Sequence, residues 1–171
     1  MQIASKISTW FLWWILYSVF GWVFETLVCS IEMGQWADRG FLYGPLCPIY
    51  GTSALLSLVI FKRIKHAALL FLAGAAMVVV IEYSTSLVLE QLFGQIWWDY
   101  SAFRFNIHGR VSLLGAVVFG VMIVLLIKLI HPRVEALTTR IQDKTKLIAA
   151  GILALILAFD FSITLFHLLT R

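Results

Sequence analysis

Charge is scarce in this 171-residue chain: Asp, Glu, Lys and Arg make up 13% of it, against about a quarter of an ordinary soluble domain. Cysteine is scarcer still. Two residues, Cys29 and Cys47, exclude a disulfide framework and are expected as free thiols, with a single bridge between them the lesser alternative. Proline occurs three times, at Pro45, Pro48 and Pro132, so most of the chain is free to be helical. No Walker-type glycine loop is present, which excludes ATP binding by that route. No apolar stretch alternates with polar residues in the manner of a transmembrane strand. The net charge of +4 is modest, its basic residues sit in short flanks, and no nucleic-acid motif accompanies them. No small-residue cleavage site follows the first apolar run, and that run carries Glu25, so it reads as a retained helix and not as a removed signal.

What the chain has in abundance is apolar surface. Its residues are 61% hydrophobic, and the mean hydropathy is +0.94. That excess needs lipid as solvent, and lipid admits only closed barrels and helices. Stretches such as LLFLAGAAMVVVI and LLGAVVFGVMIVLLIKLI are continuous, so the expected fold is an all-α transmembrane bundle. Five spans are expected, at 7–32, 48–62, 66–91, 111–130 and 147–169. Crossing the hydrocarbon core takes roughly 20 residues. The second span falls short of that, so residues 39–48 are expected to form an irregular or re-entrant approach to it. With no internal repeat or low-complexity segment, residues 1–171 read as a single transmembrane domain.

The distribution of Lys and Arg sets an orientation. One side collects Lys6, Lys62, Arg63, Lys65, Lys128, Arg133, Arg140, Lys144 and Lys146; the other has Arg39, Arg104, Arg110 and Arg171. Nine against four predicts a cytoplasmic N-terminus and an outer C-terminus, with linkers 33–47 and 92–110 outside. Linker 131–146 reads equally as a short interfacial helix, from the spacing of Val134, Leu137 and Ile141, or as a solvated basic loop. Trp10, Trp13 and Trp14 read as inner anchors, and Trp36, Trp97 and Trp98 as outer ones. Small residues at 73–76, with Gly115 and Gly120, predict close helix packing.

Three acids lie where lipid tolerates them least. A charge at the bilayer centre costs roughly 2.5–3.5 kcal/mol even on the lenient insertion scale. Glu25, Glu82 and Asp160 occupy three different expected spans, all toward the outer half. Residues three or four apart share a helix face, which gives three polar stripes: Ser18, Gly21, Glu25, Cys29 and Glu32; Glu82, Ser86 and Glu90; Asp160, Thr164 and His167. Together they predict an outward-facing polar cavity. Arg39 and Arg110 supply counter-charge, and arginine keeps its charge when buried. They either neutralise Glu25 and Glu82 structurally or help to hold a ligand.

The second outer linker, FGQIWWDYSAFRFNIHGRVSL, is denser in polar and aromatic groups than an interfacial linker requires. Asp99 can accept from Arg110 or a backbone amide, Asn106 can donate and accept at once, and Gly109 permits a tight turn. Glu25, RGFLYGPLCPIYG at 39–51, EYSTSLVLEQLFG at 82–94, WWDYS at 97–101, and Asn106 with Gly109 and Arg110 form a recognisable set. Over residues 21–120 the chain resembles the family of small multi-pass bacterial membrane proteins described as ABC-transporter type IV, CmpB-like. In that pattern Asp38 stands where an Asn is expected, and His108 is a local choice. The last span carries little of the resemblance, so Asp160 and His167 rank as secondary.

The resemblance implies a permease-like protein of the bacterial cytoplasmic membrane. Having few spans, it would work as a homo-oligomer or with a partner membrane subunit or ATPase. The residues expected to hold an unidentified solute, ion or lipid are Glu25, Arg39, Tyr43, Tyr50, Glu82, Ser86, Glu90, Trp98, Asp99, Tyr100, Asn106 and Arg110. No cofactor and no metal is expected, since His and acidic residues show no ligand spacing. Two other functions remain open. One is an enzyme acting on a lipid or lipid-linked substrate at the outer leaflet, although no nucleophile has an adjacent base in sequence. The other is an accessory or sensor subunit of a membrane complex.

Overall fold

The computed structural model describes residues 2–37 and 39–170; Met1, Asp38 and Arg171 lie outside the described residues. The fold is all-α. In chain order the helices are α1 (Gln2–Met33), α2 (Pro48–Phe61), α3 (Ala67–Phe93), α4 (Leu113–Leu125), α5 (His131–Thr138) and α6 (Asp143–Leu169), with a small hairpin of β1 (Asn106–Ile107) and β2 (Val111–Ser112) before α4. A π-helical turn, Leu126–Ile130, joins α4 to α5. Among the described residues, four stretches are long and apolar enough to cross a membrane: Gln2–Met33, Ala67–Phe93, Leu113–Thr138 and Asp143–Leu169. The fifth apolar helix, α2, has only 14 residues, as its expected span anticipates.

The 131–146 linker is ordered differently from a solvated loop. Its first half continues α4 as α5, in spite of Pro132. A proline inside an α-helix has no N–H to give and clashes with the carbonyl four residues back. The π-turn at Leu126–Ile130 widens the backbone just before that position, a common accommodation of such strain. The Arg133 side chain donates to the Leu129 carbonyl at 2.6 Å. Lys128, on the same turn, donates to the Ile64 and Lys65 carbonyls at 3.1 and 3.0 Å.

The described chain divides into two compact units, residues 1–52 with 134–171 and residues 53–133. In the first, α1 and α6 run parallel. Ser5 near the start of α1 donates to Asp143 at the start of α6, at 2.6 Å. Much further along both helices, the segment before α2 touches α1 at Glu25 and α6 at Asp160. Trp13 does more than anchor an interface: it is buried, and its indole donates to the Thr138 hydroxyl at 3.0 Å. Trp14 donates to Thr52 at 3.1 Å.

In the second unit α3 and α4 pack antiparallel. The small residues permit the close approach expected of them: a Cβ on Gly74 would stand 2.7 Å from Ile123, and one on Gly120 would stand 2.8 Å from the Phe71 ring. Ser112 caps α4, its hydroxyl accepting the Gly115 N–H at 3.0 Å.

Candidate functional site

Residues 39–47 form no helix, and two membrane-length helices hold them through carboxylates. The Arg39 guanidinium lies 3.5 Å from the Glu25 carboxylate, both groups being partly exposed. The buried Cys47 thiol donates to the other Glu25 oxygen at 3.5 Å. On α6, Asp160 accepts two consecutive backbone amides, from Tyr43 at 3.1 Å and Gly44 at 3.0 Å. Thr164, one turn along, reaches the same carboxylate at 3.5 Å. The Tyr43 hydroxyl is 3.1 Å from His167 Nδ1.

Local chemistry explains why this segment stays irregular. Gly44 lets the carboxylate come this close: a Cβ there would stand 2.9 Å from Asp160 Oδ2 and make it shift. Gly40 adopts φ of 119°, open only to glycine. Pro48 opens α2, where a missing N–H costs nothing. Just before it, Cys47 N–H donates to the Ser18 carbonyl at 3.1 Å. The Tyr50 ring then lies against α1 at Gly21, where a Cβ would overlap it.

The second unit builds its own cluster on α3. Glu82 and Ser86 are each 6% exposed, and the stripe expected from helical spacing is real. The Tyr100 hydroxyl donates to Glu82 at 2.8 Å. Arg110 forks, one nitrogen donating to Ser86 at 2.9 Å and the other forming an ion pair with Glu90. Its guanidinium carbon lies 5.9 Å from the centre of the Tyr83 ring. The Arg110 carbonyl accepts from the Trp98 indole at 2.9 Å.

A hairpin presents these loop residues. Ile107 pairs with Val111 and Asn106 with Ser112, and His108 and Gly109 between them both have positive φ, 53° and 68°. With Arg110 they make a three-residue connection, and the Arg110 N–H closes its turn onto the Ile107 carbonyl at 3.0 Å. Asn106 does donate and accept at once: Nδ2 donates to the Phe103 carbonyl at 2.7 Å, and Oδ1 accepts the Gly109 N–H at 2.9 Å. Asp99 takes the backbone-amide option, accepting Ser101 N–H at 2.8 Å and its hydroxyl at 2.5 Å. These two bonds, the hydroxyl first, hold the Asp99 carboxyl below its ordinary value. His108 is tied to Tyr83, its Nδ1 2.9 Å from the phenol oxygen.

The expected site residues thus fall into two groups. Glu25, Arg39, Tyr43, Tyr50, Asp160 and His167 surround the 39–51 segment; Glu82, Ser86, Glu90, Trp98, Asp99, Tyr100, Asn106 and Arg110 surround the hairpin. Sequence spacing missed Cys47 as a partner of Glu25, Gly44 as a partner of Asp160, and the tie between Tyr83 and His108. Only helix-to-loop contacts reveal them. Both cysteines are free thiols. Among the described residues, no group of three or more His, Cys, Asp or Glu could share a metal ion.

No curated protein and no solved structure matches the chain. One family model does, over residues 12–165, and its description is "Putative ABC-transporter type IV". The match extends beyond residues 21–120 and takes in α6 with Asp160, so that acid does not sit outside the region of likeness. A match over most of the chain makes this a multi-pass membrane protein that belongs to the family described as putative ABC-transporter type IV.

Proposed function

We propose that the protein is a permease-like transporter whose polar, charged cavity opens to the outer side of the bacterial cytoplasmic membrane. The observation that carries this reading is the 39–47 segment. Non-helical backbone at membrane depth is tolerated only where protein or water covers it, and many secondary transporters build solute sites from such breaks. Here the break is held by an acid on α1 and an acid on α6. In the first unit Glu25 is the proposed carboxylate, with Arg39 as counter-charge and Tyr43 and Tyr50 ordering the segment beside it. In the second unit Glu82 takes that role, with Arg110 as counter-charge and Trp98, Asp99, Tyr100 and Asn106 ordering the loop.

The parallel course of α1 and α6 supports five crossings in a single transmembrane domain. If both helices cross in the same direction, the chain between them must cross an odd number of times. With α3 and α4 crossing in opposite senses, α2 must cross too. At 1.5 Å per residue its 14 residues span about 21 Å, and the irregular approach at 39–47 supplies the rest. The Lys and Arg bias then puts the N-terminus inside and the C-terminus outside. So small a membrane unit would work as a homo-oligomer or with a partner membrane subunit or ATPase.

The test is flux of ions and small solutes in liposomes holding the purified chain, wild type beside Glu82→Gln. Loss of flux in the variant, with its fold retained, is the expected result. Equal flux in the two would remove Glu82 from the mechanism, and none in either would remove transport by the isolated chain.

A further inference from the structure

We infer that α1 carries a binding seam for a neutral, oxygen-bearing ligand along Ser18, Trp22 and Thr26. These residues are four apart and so form one ridge of the helix, about 6 Å between successive members. Ser18 and Thr26 are 0% and 1% exposed. Neither hydroxyl, nor the Trp22 indole nitrogen, has a hydrogen-bond partner among the described residues.

A helix offers such hydroxyls a ready partner, the carbonyl one turn back. Elsewhere this chain takes it. Thr9 donates to Ser5 at 2.9 Å, Thr138 to Val134 at 2.6 Å, Ser162 to Ala158 at 2.7 Å and Thr170 to Phe166 at 2.8 Å. All four are more exposed than Ser18 and Thr26. Ser57, as deeply buried as Ser18, also bonds locally, donating to the Ala54 carbonyl at 2.7 Å, so burial alone does not explain why Ser18 and Thr26 forgo such a bond. Buried polar groups in folded proteins are nearly always satisfied, by protein or by bound water.

Glycines face two members of this ridge. Ser18 Oγ lies against Gly51, where a Cβ would overlap it, and the Trp22 ring is 3.6 Å from where a Gly40 Cβ would stand. Two glycines bring backbone close to α1 and leave the polar atoms for something else.

The donor set defines that occupant. The indole can only donate, and the two hydroxyls can donate or accept, so the occupant must present acceptor oxygens. It needs no charge, because Glu25, between Trp22 and Thr26 in sequence, already has Arg39 at 3.5 Å. Bound water and a hydroxylated solute share this chemistry. The seam is a property of α1 and stands whether or not the chain transports anything.

The test uses the full chain in nanodiscs and compares wild type with Ser18→Ala, Thr26→Val and the double variant. Removing hydroxyls that lack any partner stabilises a protein or leaves it unchanged; removing hydroxyls that bind an occupant costs stability. The expected result is a fall in Tm of about 4 °C or more in the double variant. An unchanged or raised Tm overturns the inference. Should the double variant not fold, Ser18→Ala alone carries the comparison. Two further arms identify the source. Radiolytic oxidation of Trp22 in plain buffer that drops in the variant identifies water. A glycerol-induced rise in Tm larger in wild type than in the variant identifies a hydroxylated solute. Neither response overturns the seam.

Discussion

Asp160 on α6 accepts the backbone N–H of Gly44 at 3.0 Å, and the glycine leaves no room for a Cβ between them. An acid in an apolar helix is thereby satisfied by main chain and not by a basic side chain. Such an acceptor serves two amides at once, Tyr43 and Gly44. Asp160→Ala leaves both without that partner, at about 1–3 kcal/mol each. Gly44→Ala pushes directly on the carboxylate. Thermal unfolding in detergent should show each single variant destabilised and the double variant less so than their sum, since both break the same contact. Full additivity would mean that the two residues act separately.

Glu25 should behave in the opposite way. Its ion pair with Arg39 is 3.5 Å long and partly exposed on both sides, a geometry worth about 1 kcal/mol or less. Glu25→Gln keeps shape and an acceptor for the Cys47 thiol. The variant should therefore unfold close to wild type yet lose solute flux in liposomes. Retained flux with unchanged stability would make Glu25 a structural residue only.

Arg110 joins two acceptors on α3, and only a planar fork does so from one side chain. Arg110→Lys preserves charge but cannot reach Ser86 and Glu90 together. Amide hydrogen exchange across residues 95–112 should accelerate, with stability lower by about 1–2 kcal/mol. Unchanged exchange would show that the hairpin is held by Trp98 and Tyr100 without the guanidinium.

These contacts separate what the sequence makes legible from what it hides. Glu82, Ser86 and Glu90 share a face through helical spacing alone; Arg110 is expected as the counter-charge of Glu82, and its fork is found on Ser86 and Glu90. The short second helix is legible in Gly44, Pro45 and Pro48. The partner of Asp160 is not, because a backbone amide looks the same beside every residue type. The bond from Trp13 to Thr138 spans 125 positions, and no local pattern announces it. The hairpin strands, two residues each, are too short to show alternation. Only Gly109 hints at the turn.

His108 is better explained by that turn than by chemistry. Its φ of 53° is uncommon outside glycine, though His, Asn and Asp tolerate it. His108→Asn should leave stability within about 1 kcal/mol, losing the Tyr83 contact but keeping the turn. His108→Val, branched at Cβ, should cost about 1–2 kcal/mol. Equal effects of the two substitutions would point to the imidazole and not to the backbone.

Asp99 makes the loop between α3 and the hairpin sensitive to acid in a defined direction. The Ser101 hydroxyl and amide stabilise its charged form, so its folded pKa lies below the unfolded one. A group of that kind contributes stability that is fully present above the unfolded value and is lost as pH falls through the folded value. Neutral pH is therefore on the stable side, and Asp99 should titrate below a free carboxylate. Ser101→Ala removes the larger of the two causes, leaving the amide. Carboxyl carbon chemical shifts followed with pH should place the Asp99 midpoint higher in Ser101→Ala than in wild type. An unmoved midpoint would mean that the backbone amide alone holds Asp99 in its charged form.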